Sequence, residues 1–211
     1  ISKKEIRLSD FKFSFMRKDP PVNENYMNAL HFLGLAEKQG AVVFNKPTAI
    51  KEFNEKIFAL HFKEFIPKTL VTSNIDKIEN FFELHKTIII KPIDGMGGAS
   101  IYKIDELNEE NKDLLIKMTN SQRTHIICQE FIEDIYEGDF RILIIHGKPF
   151  QKTLARIPQG NSFKGNLAAG GRGEARDISD YQKMIAEKVG EYLMKKHINF
   201  AGIDMIGKYL T

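Results

Sequence analysis

The sequence predicts a mixed α/β and α+β protein with more than one domain. The 211 residues are enough for one large domain or two small ones, strand-like and helix-like segments alternate near the amino end, and later strand-like runs follow one another across short turns. Parallel strands need long crossovers, whereas short turns join antiparallel strands. We therefore expect an α/β segment first and α+β segments after it.

The first segment has the pattern of a βαβ unit. Phenylalanines alternate with polar residues over residues 11–15, which predicts a strand with one buried face. Apolar residues at helical spacing predict a helix over residues 25–39, and Gly40 is placed to end it. A short buried strand over residues 41–44 completes the unit, and we expect a domain boundary just after it.

The remaining segments predict further helices and strands. A hairpin is expected over residues 141–156, because a turn at Gly147 joins two β-prone runs. Ser179 and Gln182 have the spacing of a capping box at the start of a helix that extends to Lys196. The other predicted elements are a helix over 54–62, a strand over 69–71, a helix capped by Ser73 and ending at His85, strands over 87–90 and 99–104, a helix over 106–119, and strands over 124–132 and 200–206.

Composition and charge exclude several classes of protein. The formal net charge is +3 and the charged residues are interleaved, so a nucleic-acid interface is not indicated. The sequence has no bilayer-spanning apolar run and no secretory pattern, and we expect a cytoplasmic protein without a membrane partner. Cys128 has no disulfide partner, and the histidines are not at metal-ligand spacing. Because the chain opens on Ile1 rather than Met, we expect it to be the interior of a longer protein.

The glycine-rich turn over residues 94–98 is the first candidate site. Glycines let backbone N–H groups approach phosphate oxygens, and Lys91 on the preceding strand adds a positive charge. The turn lacks the G-K-[ST] ending of a P-loop, and the residues after it alternate as a strand rather than opening the helix that a dinucleotide fold requires. We expect a flexible cover over a triphosphate. A plain hairpin with a glycine bulge is the structural alternative.

The second candidate site combines residues 129–132 with residues 137–141. The end of an extended strand offers backbone groups to an adenine edge, and a nearby carboxylate suits ribose hydroxyls. A strand followed by a solvated turn is the more common origin of such a pattern. These residues alone therefore do not establish a site.

The third candidate site joins a loop to a strand. Glycines and cationic side chains are concentrated over residues 156–172, which predicts a mobile loop that closes over an anionic intermediate and excludes water. Asp204 lies in the middle of an apolar strand, where a carboxylate is costly unless it is paired. We expect Asp204 to bind a Mg²⁺ ion that bridges phosphates, and a buried ion pair is the structural alternative.

Several motifs together resemble bacterial glutathione synthetases, in their order and spacing, from about residue 11 to the end of the chain. They are Met16-Arg17-Lys18-Asp19-Pro20-Pro21, Asn54-Glu55-Lys56, the segment from Lys91 to Ser100, Ala155-Arg156-Ile157-Pro158-Gln159-Gly160, and the segment from Gly165 to Gly173. That family has the ATP-grasp fold, in which two α+β subdomains grip ATP behind an N-terminal α/β domain. The resemblance implies that residues 1–46 are the last part of that domain, 47–128 the central lid subdomain, and 129–211 the C-terminal subdomain, which we expect to be truncated.

The resemblance also implies roles for individual residues. Arg141, Arg156 and Asn166 would be catalytic, and Asp204 would hold Mg²⁺ or Mn²⁺. Substrate would be bound by Arg17, Arg156, Lys164 and Asn166. The ATP-binding residues would be Lys56, Lys91, Gly95, Met96, Gly97, Gly98, Gln129, Glu130, Phe131, Ile132 and Asp139.

The activity implied by the resemblance is peptide-bond formation. ATP would phosphorylate the cysteinyl carboxylate of γ-glutamylcysteine, and the amine of glycine would then attack the acyl phosphate to give glutathione, ADP and phosphate. The family also implies a homo-oligomer, a tetramer or a dimer. The sequence departs from the family's motifs at two places. Lys164 stands where an arginine is expected, and the family's further metal ligands, a Glu and an Asn, fall beyond Thr211. Another ATP-grasp carboxylate–amine ligase and a non-catalytic ATP-binding module are the alternatives.

Overall fold

The computed structural model describes residues 4–18, 21–94 and 100–211. The predicted phosphate-covering residues Gly95, Met96, Gly97 and Gly98 therefore lie outside the described residues. The chain forms two compact units: the first comprises residues 1–54, 142–152 and 177–203, and the second comprises residues 55–141, 153–176 and 204–211. In the described part of the chain, no helix combines the length and the apolar character that crossing a membrane requires.

The first unit contains the predicted βαβ arrangement. Strand β1 (Ser14–Phe15) pairs in parallel with β2 (Val43–Phe44), and helix α1 (Glu24–Lys38) connects them. Gly40 follows the helix with a positive φ of 93°, a conformation that glycine adopts without steric cost. The prediction that the helix ends at this glycine is confirmed.

The predicted burial of one face of the first strand is wrong. The side chains of Phe11, Phe13 and Phe15 are 49%, 52% and 51% exposed. Within residues 4–18 and 21–94, β1 pairs only with β2, and a two-stranded ribbon has too little area to cover aromatic rings. The alternation of polar and apolar residues therefore indicated the strand but not its burial.

Polar contacts hold other parts of the first unit together. The Asn45 side chain accepts hydrogen bonds from the N–H groups of Asn199 and Phe200, both at 2.8 Å, and donates one to the carbonyl oxygen of Phe200 at 2.7 Å. Helix α2 (Pro47–Glu52) begins two residues after Asn45, with Lys46 as its N-cap. The capping box predicted for Ser179 and Gln182 opens helix α6 (Asp180–Lys195), and both of its hydrogen bonds are present.

A four-stranded antiparallel sheet lies in the second unit, in which helix α3 (Glu55–Phe58) comes first along the chain. The sheet has the order β3 (Thr69–Thr72), β6 (Ile126–Glu130), β4 (Ile88–Pro92) and β5 (Tyr102–Ile104). Helices α4 (Ile75–His85) and α5 (Glu109–Met118) pack on one face of the sheet. The buried side chains at this contact are Ile78 and Phe82 of α4, Leu115 of α5, and Ile88, Ile90, Ile104, Ile126 and Cys128 of the sheet.

Helix α4 begins one residue later than predicted. The N-cap is Asn74 rather than Ser73, and the Asn74 side chain accepts a hydrogen bond from the N–H of Lys77 at 2.9 Å. Asn and Ser are similarly good N-caps, so the sequence alone could not choose between neighbouring candidates.

The strands of a second sheet are β7 (Asp139–Ile145), β8 (Lys148–Ile157), β9 (Arg172–Asp177), β10 (Phe200–Ile206) and β11 (Tyr209–Leu210). Their order in the sheet is β11-β10-β7-β8-β9. The predicted hairpin is confirmed, with positive φ at His146 and Gly147 in its turn. Strand β9 was not predicted, because charged residues alternate there with Gly173 and Ala175 and give no apolar face. It lies at the edge of the sheet, where charged residues are common.

Candidate active site

The four-stranded sheet has one face for the core and one for the candidate site. Side chains alternate between the faces of a sheet, so the register decides which residues are neighbours. Thr69 pairs with Gln129, which pairs with Ile89, and Val71 pairs with Ile127, which pairs with Lys91. These six residues therefore share the face opposite the buried isoleucines and Cys128. The run from Ile88 to Lys91 alternates in this way, with Lys91 on the site face.

Lys56 and Lys91 line the same cavity on the site face of the four-stranded sheet. Together with Leu60, Thr69, Gln129 and Thr211 they line a cavity of about 20 Å³. That volume holds about one water molecule and is too small for a nucleotide base.

The charge state of Lys91 depends on its surroundings. The pKa of its ammonium group is lowered to about 8, mainly because burial removes the charged form from water and also because of the positive charge of Lys56. Asp139, Asp204 and Glu55 act in the opposite direction. Lys91 thus interacts with Lys56 and with two carboxylates of the second sheet, and the two groups of charges belong to one electrostatic environment.

The predicted adenine segment divides between the two faces of the sheet. The Gln129 side chain lies on the site face and donates to the hydroxyl of Thr69 at 2.9 Å. The Glu130 side chain instead accepts from the N–H of Lys68 at 3.0 Å and lies 3.6 Å from Nδ1 of His85. The backbone N–H groups of Glu130 and Phe131 donate to the carbonyl oxygens of Lys68 and Thr87. Those two N–H groups are therefore engaged in the protein, and a base would have to be recognised by other atoms of the segment.

Phe131 and Ile132 follow the end of β6. The Phe131 ring contacts Tyr136 and Phe163, each with 6.3 Å between ring centroids, and Nζ of Lys103 lies 4.5 Å from its centre. The carbonyl oxygen of Ile132 accepts from the N–H of Ile135 and so starts a short 3₁₀ helix (Glu133–Glu137). This segment supplies an apolar wall next to the sheet.

Two carboxylates and two guanidinium groups form an ion-pair cluster on adjacent strands of the second sheet, which we call the Asp–Arg cluster (Asp139, Arg141, Arg156 and Asp204). Nη2 of Arg156 donates to Oδ2 of Asp139 at 2.5 Å and lies 2.8 Å from Oδ1 of Asp204. Arg141 binds Asp204 through two parallel hydrogen bonds, Nε to Oδ1 at 2.7 Å and Nη2 to Oδ2 at 2.6 Å. Strand β7 lies between β10 and β8, which explains why these residues meet.

The Asp–Arg cluster is strongly coupled. The pKa of Asp139 is raised to about 6, mainly by burial and also by the negative charge of Asp204, and Arg156 opposes both effects. The hydrogen bond to Asp204 raises the pKa of Arg141 above its ordinary value, so this group stays charged. Among the described residues, Oδ1 of Asp139 and Nε of Arg156 are buried without a hydrogen-bond partner. Such atoms are expected where a ligand completes the hydrogen bonding.

The geometry at Asp204 bears on the predicted metal. Both carboxylate oxygens are engaged by arginines, as in the ion-pair alternative, while 23% of the side chain is exposed. In the parts of the chain that the structure describes, no three His, Cys, Asp or Glu residues are grouped to hold an ion. Mg²⁺ often takes one or two carboxylates and receives its other ligands from phosphates and water. Asp204, whose two oxygens are both bound by arginines, would be one protein ligand of an ion that takes its other ligands from phosphate and water, and this role stays a prediction.

The predicted mobile loop connects β8 to β9 and packs on the Asp–Arg cluster through Gly165. A Cβ atom at Gly165 would overlap the carbonyl oxygen of Arg156 and would lie 3.2 Å from Cβ of Asp139. Only glycine allows this approach. Lys164 and Asn166 flank Gly165 in the sequence: Nζ of Lys164 lies 5.9 Å from the centre of the Phe163 ring, and the carbonyl oxygen of Asn166 accepts from the N–H groups of Ala169 and Gly171. Their predicted roles in substrate binding stay predictions.

Arg17 belongs to the first unit. Its guanidinium lies 5.6 Å from the centre of the Phe200 ring, a residue of the same unit. This contact lies within the first unit and involves no residue of the candidate site. The role of Arg17 in substrate binding stays a prediction.

Several residues around the lysines were not identified from the sequence. Leu60 and Thr211 line the cavity, Thr69 orients Gln129, and Phe163 contacts Phe131. No motif indicated them, because their positions depend on strand pairing and loop packing. A strand was predicted over residues 69–71, but the sequence did not indicate which strand it would pair with.

Comparisons with known proteins identify both parts of the chain. Residues 55–211 match the family model of the prokaryotic glutathione synthetase ATP-grasp domain, and residues 1–51 match that of the prokaryotic glutathione synthetase N-terminal domain. The chain is 44% identical over 211 residues to the glutathione synthetase of Vibrio parahaemolyticus and 44% identical over 209 residues to that of Buchnera aphidicola. These alignments cover 100% and 99% of the chain but only 66% and 64% of the two relatives, so the chain spans slightly less than two-thirds of their length.

Solved structures with the same fold are more distant in sequence. D-cycloserine synthetase DcsG is 13% identical with a TM-score of 0.66, over 96% of this chain and 73% of that one. D-alanyl-alanine synthetase A from Vibrio cholerae is 15% identical with a TM-score of 0.62, over 90% and 62% of the two chains. At these identities the structural similarity supports the ATP-grasp fold alone. The family models and the sequence relatives all name prokaryotic or bacterial glutathione synthetases. The chain belongs to the prokaryotic glutathione synthetase family.

Proposed function

We propose that the protein carrying this chain uses ATP to join γ-glutamylcysteine to glycine, forming glutathione, ADP and phosphate. Family membership supports the proposal, and one structural observation carries it. Lys91 interacts electrostatically with Lys56 and with both carboxylates of the Asp–Arg cluster. Cations for a triphosphate therefore lie beside cations for a substrate carboxylate, as transfer of a phosphoryl group between the two requires.

The nucleotide would bind on the site face of the four-stranded sheet. Lys56 and Lys91 would contact its phosphates, Gln129 and the residues up to Ile132 would border the adenine, and Asp139 would lie near the ribose. Residues 95–98 of the predicted glycine-rich cover lie outside the described residues. The resemblance alone supports their proposed position over the phosphates. The cavity of about 20 Å³ would have to widen for the base to bind there.

The chemistry would proceed in two steps. An oxygen of the cysteinyl carboxylate attacks the γ-phosphorus of ATP, and the bond from that phosphorus to the bridging oxygen of ADP breaks. The unprotonated amine of glycine then attacks the carbonyl carbon of the acyl phosphate, phosphate leaves with the oxygen that it received, and the amine loses a proton to solvent. No protein side chain needs to form a covalent bond.

The residues of this chain would position groups and balance their charge. Arg156 and Arg141 would face the substrate carboxylate and the developing negative charge, which is where positioned cations accelerate such reactions most. Lys164 and Asn166 would lie over the intermediate, and the loop that carries them would keep water from the acyl phosphate. A Mg²⁺ or Mn²⁺ ion held by Asp204 would supply further neutralisation of the phosphate charge.

The resemblance also supports two broader proposals. The protein would act in the cytoplasm on small-molecule substrates, and it would form a homo-oligomer, either a dimer or a tetramer.

The direct test of the proposed reaction is an assay of the protein at its natural length. With ATP, γ-glutamylcysteine and glycine together, we expect ADP and glutathione in equal amounts, and little ADP when either substrate is left out. Replacing glycine with alanine, serine or glutamate tests the alternative acceptors. Faster turnover with another amine would indicate a different ATP-grasp carboxylate–amine ligase. Nucleotide binding without turnover would indicate a non-catalytic ATP-binding module.

Arg156 provides the sharpest mutational test. Because one guanidinium contacts two carboxylates, a lysine cannot reproduce the geometry, and we expect Arg156→Lys to lower kcat/KM about 100-fold. Arg176→Lys is the control, since Arg176 is 38% exposed in its side chain and pairs with Glu174. Thermal unfolding of both variants establishes that they fold. A loss of less than about threefold for folded Arg156→Lys would exclude Arg156 from the reaction.

The pKa of Lys91 predicts how nucleotide affinity changes with pH. Below pH 8 the ammonium group is charged and attracts phosphates, and above pH 8 it is neutral, so affinity should fall as pH rises through about 8. We expect the Kd for a non-hydrolysable ATP analogue to rise between pH 7 and pH 9.5 by about tenfold, measured by calorimetry. Lys91→Met should bind weakly and lose this dependence, whereas a full dependence in that variant would assign the titration to another group.

A further inference from the structure

Phe163 is an aromatic residue in the loop that follows β8, and its ring contacts a residue outside that loop. The ring lies 6.3 Å from that of Phe131, with an angle of 82° between the planes. Edge-to-face contact of this kind is a favoured geometry for aromatic pairs. Phe131 directly follows β6, so the contact joins the loop to the end of the strand that carries Gln129.

Phe131 is held in place from several directions. Tyr136 contacts its ring at 6.3 Å, and Nζ of Lys103 on β5 lies 4.5 Å from the ring centre, within cation–π distance. The N–H of Phe131 donates to the carbonyl oxygen of Thr87 at 3.1 Å. The ring therefore offers a fixed surface on which a mobile segment can dock.

The rest of the loop has weaker attachments among the described residues. Leu167, the other large apolar side chain near its centre, is 50% exposed. Ser162 accepts from the N–H of Lys164, and Asn166 accepts from residues three and five positions later, so these hydrogen bonds are local. Gly165, which has no side chain, packs on the backbone of Arg156 and on Cβ of Asp139. Phe163 is the side chain that connects the loop to another element through aromatic contact.

We propose that Phe163 is a positioning residue that anchors the loop in its closed position by docking on Phe131. The role rests on the proposed function, because the loop is taken to shield an acyl phosphate. Phe163 precedes Lys164 and lies three residues before Asn166, so its docking sets where both side chains lie. When the anchor is lost, the loop opens more often, water reaches the intermediate, and the acyl phosphate hydrolyses to γ-glutamylcysteine and phosphate.

Limited proteolysis tests the anchor without any ligase activity. Trypsin cleaves after Lys164 only when the loop is open, and mass spectrometry identifies that cleavage. We expect Phe163→Ala to accelerate it about tenfold in the protein without substrates. Leu167→Ala is the matched control in the same loop and should change the rate by less than about twofold. Equal rates in Phe163→Ala and the parent protein would overturn the proposal.

A fluorescent probe gives a second measurement. The 211 residues contain no tryptophan, and the difference between the spectra of Phe163→Trp and of the parent protein isolates the signal of the new indole. We expect its emission to shift to longer wavelength and acrylamide quenching to increase when Phe131→Leu is added, because the indole loses its aromatic partner. An emission spectrum and a quenching constant that do not respond to Phe131→Leu would mean that the ring does not dock there.

Coupling between ATP use and peptide formation completes the test. In Phe163→Ala we expect the ratio of ADP to glutathione to rise above one, and Phe163→Tyr should restore it. If proteolysis and fluorescence respond while the parent protein makes no glutathione, the anchor stands and the proposed function fails. If the parent protein makes glutathione but neither proteolysis nor fluorescence responds, the anchor fails alone.

Discussion

The buried ion pair between Asp139 and Arg156 is the interaction on which the candidate site depends. Both residues are more than nine-tenths buried, and a buried charge is costly unless it is paired and hydrogen-bonded. The pair therefore requires the neighbouring strands to remain in register, and Arg156 extends it to Asp204, which in turn fixes Arg141. Removing one partner would leave an uncompensated charge rather than remove a single contact.

The same constraint links the cluster to its surroundings. The backbone of the loop approaches Arg156 and Asp139 so closely at Gly165 that no side chain fits there. The two carboxylates also act on Lys91, whose pKa is lowered by burial and by Lys56. Changes at the arginines, at the loop or at the lysines should therefore not be additive, because residues that share one network couple energetically.

The sequence indicated those parts of the fold that local patterns determine. The hairpin at Gly147, the capping box at Ser179 and the strand that carries Asp204 formed as predicted, because turn chemistry, capping and apolar runs act locally. It did not indicate what covers a strand: Phe13 and Phe15 alternate as in a half-buried strand but are exposed. It also did not reveal the neighbours across strands, such as Thr69 beside Gln129. For Asp204, the cost of an unpaired charge in an apolar strand indicated that the carboxylate has a partner. The sequence did not indicate that Arg141 and Arg156 contact it, because that depends on which strands are neighbours.

The central claim is that the site activates a carboxylate by phosphorylating it, and oxygen transfer measures that step directly. γ-Glutamylcysteine labelled with ¹⁸O in both oxygens of the cysteinyl carboxylate is turned over with ATP and glycine, and the released phosphate is analysed by mass spectrometry. The account predicts one labelled oxygen in phosphate for each glutathione formed, because the attacking oxygen leaves with phosphorus. Unlabelled phosphate formed together with glutathione would contradict the acyl-phosphate route.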